Sequence, residues 1–314
     1  MKSFVSNTKL MISGEYLVLQ GASSLALPLK HTQELSVLEQ PGDPSIEWKS
    51  FINNDLWFEL NVSLPNFEIL TTTDSKMAQT LVRLLKTAEQ LNPKFLEDQL
   101  NYMVTSVMDF KPDWGIGSSS SLVSNLALWA ECDPFLLNKL VFGGSGYDIA
   151  CARASTPIMY HLDNSVPTYR EAQFYPKFHT NLYFIYLNRK QSSKDSIQKS
   201  DLSSVTTSTI ERITAISNAM ELADSLQTFQ DLLEEHENII SETLQVKKVK
   251  DLYFKDFHGS IKSLGAWGGD FILVASSKPE SEIKEYFEKK GFNTFFRFAE
   301  LVLPKDNLKK NSPV

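Results

Sequence analysis

Residues Asp113 to Ala130 read DWGIGSSSSLVSNLALWA, with two glycines one residue apart, four serines in a row and then an apolar run. Serine runs are usually flexible linkers. This one enters directly a segment whose Leu122, Leu126 and Trp129 or Ala130 share one helical face, which a linker has no reason to do. The first N–H groups of a helix have no intrahelical partner, and the helix dipole places partial positive charge there. Gly115 and Gly117 permit the dihedrals of a tight turn, and small side chains let an anion approach the backbone. The stretch reads either as a phosphate cradle at a helix start or as a serine N-cap behind a glycine turn. It is not a Walker loop, because no Gly-Lys-Ser or Gly-Lys-Thr closes it, and it lacks the GxGxxG order of a dinucleotide fold.

The surrounding chain has 314 residues, 42% hydrophobic and 22% charged, an ordinary soluble globular composition. That length predicts one large domain or two moderate ones. Acidic residues outnumber basic ones 38 to 31, and the net charge of −7 disfavours nucleic acid and anionic membranes as partners. Cys132 and Cys151 are too few for a disulfide framework and have no metal-ligand spacing. The first twenty residues, MKSFVSNTKLMISGEYLVLQ, are interrupted by Glu15 and carry no cleavage site of the signal-peptide kind. No window approaches the ~20 apolar residues of a membrane span. A reduced, cytoplasmic setting is the expectation.

Turn residues and periodicity divide the chain. Residues 4 to 40 read as strands, Lys9 to Ile12, Tyr16 to Leu19, Ser24 to Leu27 and Gln33 to Leu38, punctuated by Gly14, Gly21 and Pro28. Trp48 to Leu60 reads as a hairpin broken at Asn53-Asn54-Asp55, Ser75 to Leu91 as a helix, and Asn101 to Met108 as a strand. A helix runs from the serines to about Ala130, followed by a short one around Phe135 to Val141. Pro157 to Asp163 and Leu182 to Leu187 are strand-like, the latter leading into a polar segment over 188–204, and Val205 to Leu222 and Leu226 to Leu244 are amphipathic helices. Strand, helix and strand are expected over 271–275, 280–290 and 294–303. A strand-rich front and an alternating rear predict two α+β lobes with a boundary near 165 to 185, here set at 1–170 and 171–314.

Three further segments carry chemistry. Lys9-Leu-Met-Ile-Ser-Gly-Glu-Tyr places a lysine ahead of a Gly-Glu pair; Gly143-Gly-Ser-Gly-Tyr-Asp148 places an aspartate after a glycine-rich bend; Lys262-Ser-Leu-Gly-Ala-Trp-Gly-Gly-Asp270 is a glycine-rich loop entering an apolar strand. Singly these read as a hairpin, a helix cap and a turn. His31, His161, His179, His236 and His258 form no metal spacing, and the Cys151 thiol reads as a packed small hydrophobe.

In this order, from Lys9 to Asp270, the segments resemble the GHMP kinase family, which includes galactokinase, homoserine kinase, mevalonate kinase and phosphomevalonate kinase. Pro112-Asp-Trp-Gly-Ile-Gly-Ser-Ser-Ser-Ser is similar to the family's P-x-x-x-G-L-G-S-S-A-A loop, with Ile116 for leucine and serines for alanines. Gly-Ser-Gly-Tyr-Asp resembles the G-S-G-x-D-V-A of phosphomevalonate kinases more than the P-S-G-x-D-N of mevalonate kinases. The resemblance implies an N-terminal lobe like the second domain of ribosomal protein S5, a ferredoxin-like C-terminal lobe, and ATP-dependent phosphorylation of a small acceptor. Phosphomevalonate is favoured over mevalonate, with a sugar or homoserine next, and a related decarboxylase last.

By the family's pattern Gly115, Ile116, Gly117, Ser118, Ser119 and Ser120 hold the ATP phosphates, Ser119 contacts Mg2+, Asp148 orients or deprotonates the acceptor and Lys9 neutralises charge between them. Glu15, Tyr16, Ser145, Gly146, Arg153 and Lys262 are acceptor-side candidates, and Gly265, Gly268 and Gly269 brace the site. Trp267 stands where the family has glycine, and Phe135 to Phe142 lacks the acidic residue that often binds Mg2+. Those departures leave a second class open, a catalytically silent relative that binds a ligand or partner. Nothing in the sequence sets the oligomeric state, and a homodimer is compatible with it.

Overall fold

The computed structural model describes residues 1–98, 100–189, 202, 205–265 and 270–304. The chain forms two compact units, each assembled from three segments. Unit 1 comprises Met1–Thr8, His31–Pro112 and Gly117–Arg153; unit 2 comprises Lys9–Lys30, Asp113–Ile116 and Ala154–Val314. Strands β1 (Lys2–Met11) and β2 (Ser24–Gln40) contribute residues to both.

In unit 1 the strands run in the order β5 (Glu68–Thr72), β4 (Asp55–Ser63), β3 (Ser45–Ile52), β6 (Asn101–Met108) and β2. Their sequences alternate, and the inward residues pair across the sheet: Trp48 lies opposite Leu60 on β4 and Val104 on β6. The β3–β6 pair is parallel, which requires a crossover, and helix α1 (Ser75–Leu91) lies within it. Asp74 caps α1 by accepting from the Lys76 and Met77 N–H groups, both at 2.9 Å. Leu81, Leu84, Leu85 and Ala88 of the expected stripe then fall on one buried face together with Ala78, while Met77 is only half-buried. The same core takes residues from α2 (Ser118–Trp129), α3 (Pro134–Val141) and α4 (Tyr147–Arg153).

Unit 2 contains a four-stranded antiparallel sheet in the order β10 (Ser260–Ser263), β11 (Phe271–Ala275), β9 (Leu182–Tyr186), β12 (Phe295–Arg297). In chain order that is strand 2, 3, 1, 4, the ferredoxin-like arrangement implied by the family resemblance. The central strands LYFIY and FILVA are buried at every position, so they read as continuous apolar runs rather than alternations. One face carries Phe254, Phe257 and Phe287. On the other, Phe298 packs against Phe184 and Phe174, and Phe229 against Phe174 and Phe178, with ring centroids 5.3–6.2 Å apart. Helices α5 (Thr207–Leu222) and α6 (Leu226–Leu244) connect β9 towards β10; α7 (Val249–Tyr253) follows them and α8 (Glu280–Lys289) precedes β12. The front of β2 also pairs with β7 (Ile158–Asp163), which pairs with β8 (Val166–Glu171).

Several expectations are corrected. Tyr16 to Leu19 is not a strand: Leu17–Gln20 is a 3-10 turn, bounded by Tyr16 at φ 63° and Gly21 at φ 93°. Gln33 to Leu38 and Ser24 to Leu27 are one strand, running through Pro28. Pro28 falls between the stretch paired with β7 and the stretch paired with β6, where no ladder N–H is demanded of it. The apolar run 294–303 holds a three-residue strand and then the short helix α9 (Phe298–Leu301), whose start is held by Glu300 accepting from the Arg297 N–H at 2.9 Å. β5, β8 and β10 were not expected from the sequence. Most of the polar segment over 188–204 lies outside the described residues. Among the described residues no helix is long and apolar enough to cross a membrane.

Candidate functional site

The serine stretch becomes α2, with Gly117 as its N-cap in the left-handed region at φ 105°. No described side chain caps this end. The serine hydroxyls turn back instead: Ser120 Oγ donates to the Gly117 carbonyl at 2.9 Å, and Ser121 Oγ donates to Gln33 Oε1 at 2.7 Å. The N–H groups of Ser118, Ser119 and Ser120 thus open a helix start without intrahelical partners. Ser119 is exposed, Ser118 half-buried and Ser120 buried.

A buried polar net fixes α2 in unit 1. Gln33 on β2 accepts from Ser121, and its amide donates to Ser106 Oγ on β6 at 2.8 Å. Asn125 donates to the Gln33 carbonyl at 2.8 Å and its Oδ1 lies 2.7 Å from Ser6 Oγ. That oxygen carries no proton, so Ser6 spends its single proton there, and the 2.8 Å contact between Ser6 and Ser124 is donated by Ser124. Arg153 reaches the same serine, Nε to Ser124 Oγ and Nη2 to the Ser124 carbonyl, both at 3.2 Å. Asp148 lies half-buried in the first turn of α4, which packs on α2, and its Oδ1 accepts from the Ile149 N–H at 3.1 Å. Ser145 is half-buried and Gly146 buried just ahead of it.

In unit 2 the residues leading into the serine stretch are held one after another. The Tyr186 hydroxyl donates to the Asp113 carbonyl at 2.9 Å. Burial, helped by the Asp113 and Asp270 carboxylates, pushes that phenol up to about 12, so it stays a donor. The Trp114 ring meets Phe271 and Phe296 edge-on at 6.2 and 5.4 Å. Lys9 is buried; its Nζ donates to the Gly115 carbonyl at 3.3 Å and its backbone N–H to the Ile116 carbonyl at 2.8 Å. Asp270, at φ 52°, lies against Gly115: a Cβ on Gly115 would sit 2.4 Å from Asp270 Cγ. Glycine is obligatory at 115 for that contact as well as for its φ of 70°.

Glu15 and Lys262 are both buried, and they bind each other. Lys262 Nζ also donates to the Ser263 carbonyl at 2.8 Å and lies 3.8 Å from Glu237 Oε1. His236 Nε2 accepts from the Gly14 N–H at 2.9 Å, which leaves the ring proton on Nδ1. Burial, reinforced by the Lys262 ammonium, holds His236 well below its usual range and therefore neutral. Burial raises Glu15 against the opposing pull of Lys262. It pushes Glu237 up to about 8, Lys262 opposing and Glu15 adding. His236 and Glu237 carry no sequence signature; only the fold brings them to Glu15. Tyr16 is buried at the head of the 3-10 turn, and Gly265 follows β10 at φ 71°. Trp267, Gly268 and Gly269 lie outside the described residues.

No family model and no curated protein sequence matches the chain. Solved structures do. The mevalonate kinase of Methanococcus jannaschii is similar at TM-score 0.66 and 16% identity, covering 94% of this chain and 96% of that one. The phosphomevalonate kinase of Streptococcus pneumoniae, in complex with phosphomevalonate and AMPPNP, has a TM-score of 0.67 and 15% identity over 95% of this chain and all of its own (100%). The galactokinase of Lactococcus lactis, complexed with galactose, has 0.64 and 12% over 94% and 92%. Identities this low speak for architecture rather than for substrate, and on that footing the chain has the GHMP kinase fold.

Proposed function

We propose that the chain is an ATP-dependent kinase of a small metabolite, with phosphomevalonate favoured over mevalonate as acceptor. The observation that carries this reading is the uncapped start of α2 behind two glycines in the left-handed region, with the Lys9 ammonium on the carbonyl between them. A triphosphate suits such a stretch: Gly115, Ile116, Gly117, Ser118, Ser119 and Ser120 offer backbone N–H groups ahead of and at a helix start. The Ser120 hydroxyl is engaged with Gly117, so this residue acts through its N–H.

Phosphoryl transfer asks the protein chiefly to position two anions and neutralise charge. Asp148 is assigned the acceptor hydroxyl or phosphate oxygen, and Lys9 the charge on the transferred group. Among the described residues no cluster of three acidic, histidine or cysteine side chains could hold a metal. Mg2+ would enter as a partner of ATP, with the exposed Ser119 hydroxyl as the protein's oxygen ligand; when bound it would supply neutralisation of the phosphate charge. Tyr16, Ser145, Gly146, Arg153, Gly265, Gly268 and Gly269 stay assigned to the acceptor side, as do Glu15 and Lys262, which are buried and paired with each other. We keep 1–170 and 171–314 as the division into lobes.

The test is ADP release from MgATP with mevalonate, phosphomevalonate, homoserine and a panel of sugars. Turnover with phosphomevalonate above the ATPase background supports the assignment. Turnover with a sugar or homoserine alone moves the acceptor, and no turnover with any of them points to a silent binding protein on this fold.

A further inference from the structure

The four residues Asp113 to Ile116 precede the phosphate helix, and every one of them is tethered within unit 2. Tyr186 Oη holds the Asp113 carbonyl, Phe271 and Phe296 hold the Trp114 ring, Lys9 holds the Gly115 and Ile116 carbonyls, and the Asp270 carboxylate covers the Gly115 backbone. Tyr186 and Asp270 themselves are fixed by the sheet. Tyr186 pairs with Phe271 across β9 and β11, while the Asp270 N–H donates to the Arg189 carbonyl at 2.7 Å and its carbonyl accepts from Leu187 at 2.8 Å.

A loop with two glycines in three residues has an unusually large backbone entropy to lose when a ligand orders it. Tethers that order it beforehand move that loss from the binding step to folding, which raises affinity. We propose that Tyr186 and Asp270 are positioning residues for the nucleotide: they fix the Asp113 carbonyl and the Gly115 backbone so that the Gly115–Ser120 turn meets the phosphates already formed. Neither residue touches the phosphates in this arrangement. The inference rests on the reading of this loop as a phosphate site.

The test uses the full chain and ADP, with binding followed by calorimetry well below the melting temperature. Tyr186→Phe keeps the ring against Phe271 and deletes one hydroxyl; ADP binding is expected to weaken about 2- to 10-fold, the factor carried by one net hydrogen bond. Gly115→Ala drives a methyl into the Asp270 carboxylate and is expected to weaken binding more. Gly115→Ala combined with Asp270→Gly removes the collision and gives glycine to a position at φ 52°. Its ADP affinity is expected to recover in part towards that of Asp270→Gly alone, since the alanine still carries the strain of φ 70° at position 115. A purely structural role for these residues lowers the melting temperature of the variants and leaves the ADP affinity of the folded protein unchanged, which overturns the proposal. So does a double variant that binds no better than Gly115→Ala. If the unaltered protein binds no ADP, the phosphate-site reading fails and the proposal with it. Thermal rescue in the double variant still separates that case, because it reports the Gly115–Asp270 contact without any ligand.

Discussion

The Lys262 ammonium and the Glu15 carboxylate form an ion pair that water does not reach, at 0% and 3% side-chain exposure. Two charges taken out of water cost several kcal/mol each, and their mutual attraction recovers this only when the geometry is good. Here the ammonium gains a second acceptor, the Ser263 carbonyl. One contact thereby joins the Gly14-Glu15 turn to the end of β10, two stretches that both belong to glycine-rich motifs. A pair of this kind adds little net stability over a matched apolar pair.

Breaking it from one side is therefore expected to hurt more than removing it. Glu15→Gln leaves Lys262 with a buried charge and should cost about 3–5 kcal/mol in urea unfolding. Glu15→Gln with Lys262→Met removes both charges and should recover part of that loss. A double variant as unstable as the sum of the two singles would show that the pair carries no mutual dependence.

The neighbouring Glu237 predicts a pH dependence. Its carboxyl is pushed up to about 8 in the folded protein from an ordinary value of 4.5. Between those values the unfolded chain has released a proton that the folded chain keeps, so stability falls as pH rises from about 4.5 through about 8 and is level above. Glu237→Gln keeps the shape and cannot ionise. The variant is expected to match the unaltered protein near pH 4.5 and to exceed it by a few kcal/mol at pH 8.5. Urea midpoints across this range measure the gap; a gap that is constant with pH removes Glu237 as its source.

Elements with strong local periodicity were legible in the sequence. α1 and β6 begin and end where their patterns say, because Asp74 supplies a cap and Asn101–Met108 alternates. Tyr16 to Leu19 misled because four apolar residues carry no period, and only the left-handed Tyr16 and Gly21 turn them into a 3-10 helix. The serine loop, Asp148 and the glycine loop are contiguous motifs, each ambiguous by itself and legible through their order and their resemblance to the GHMP kinase family. The contacts that support them are not. Tyr186 and Asp113 are 73 residues apart, Gln33 and Ser121 88, and Glu15 and Lys262 247. No local pattern encodes such pairs; they exist only once strands β2, β9 and β10 are in register.

Gln33 offers a test of the net behind α2. Its side chain accepts from Ser121 and donates to Ser106; Gln33→Leu leaves the Ser106 hydroxyl without that donor, while Ser121 can turn to the Gly117 carbonyl 3.0 Å away. The expected loss is about 1–3 kcal/mol for the one group left unsatisfied, read from urea unfolding. Adding Ser121→Ala and Ser106→Ala should restore stability in part, since a matched apolar set desolvates nothing. If Gln33→Leu alone is neutral, the net does not anchor the helix.

Asp148 carries the sharpest prediction for the proposed reaction. Its Oδ1 already accepts from the Ile149 N–H in the first turn of α4, and an asparagine keeps that oxygen, the size and the helix start. What Asp148→Asn removes is the negative charge and the basicity. A carboxylate that orients or deprotonates an acceptor is typically worth ~10² to 10⁴ in rate. Turnover is therefore expected to fall by that factor with ADP affinity and melting temperature close to those of the unaltered protein. The split decides the role. Loss of both turnover and ADP binding would make Asp148 part of the nucleotide site, and turnover within about three-fold, far below what a catalytic base supplies, would remove it from the chemistry altogether.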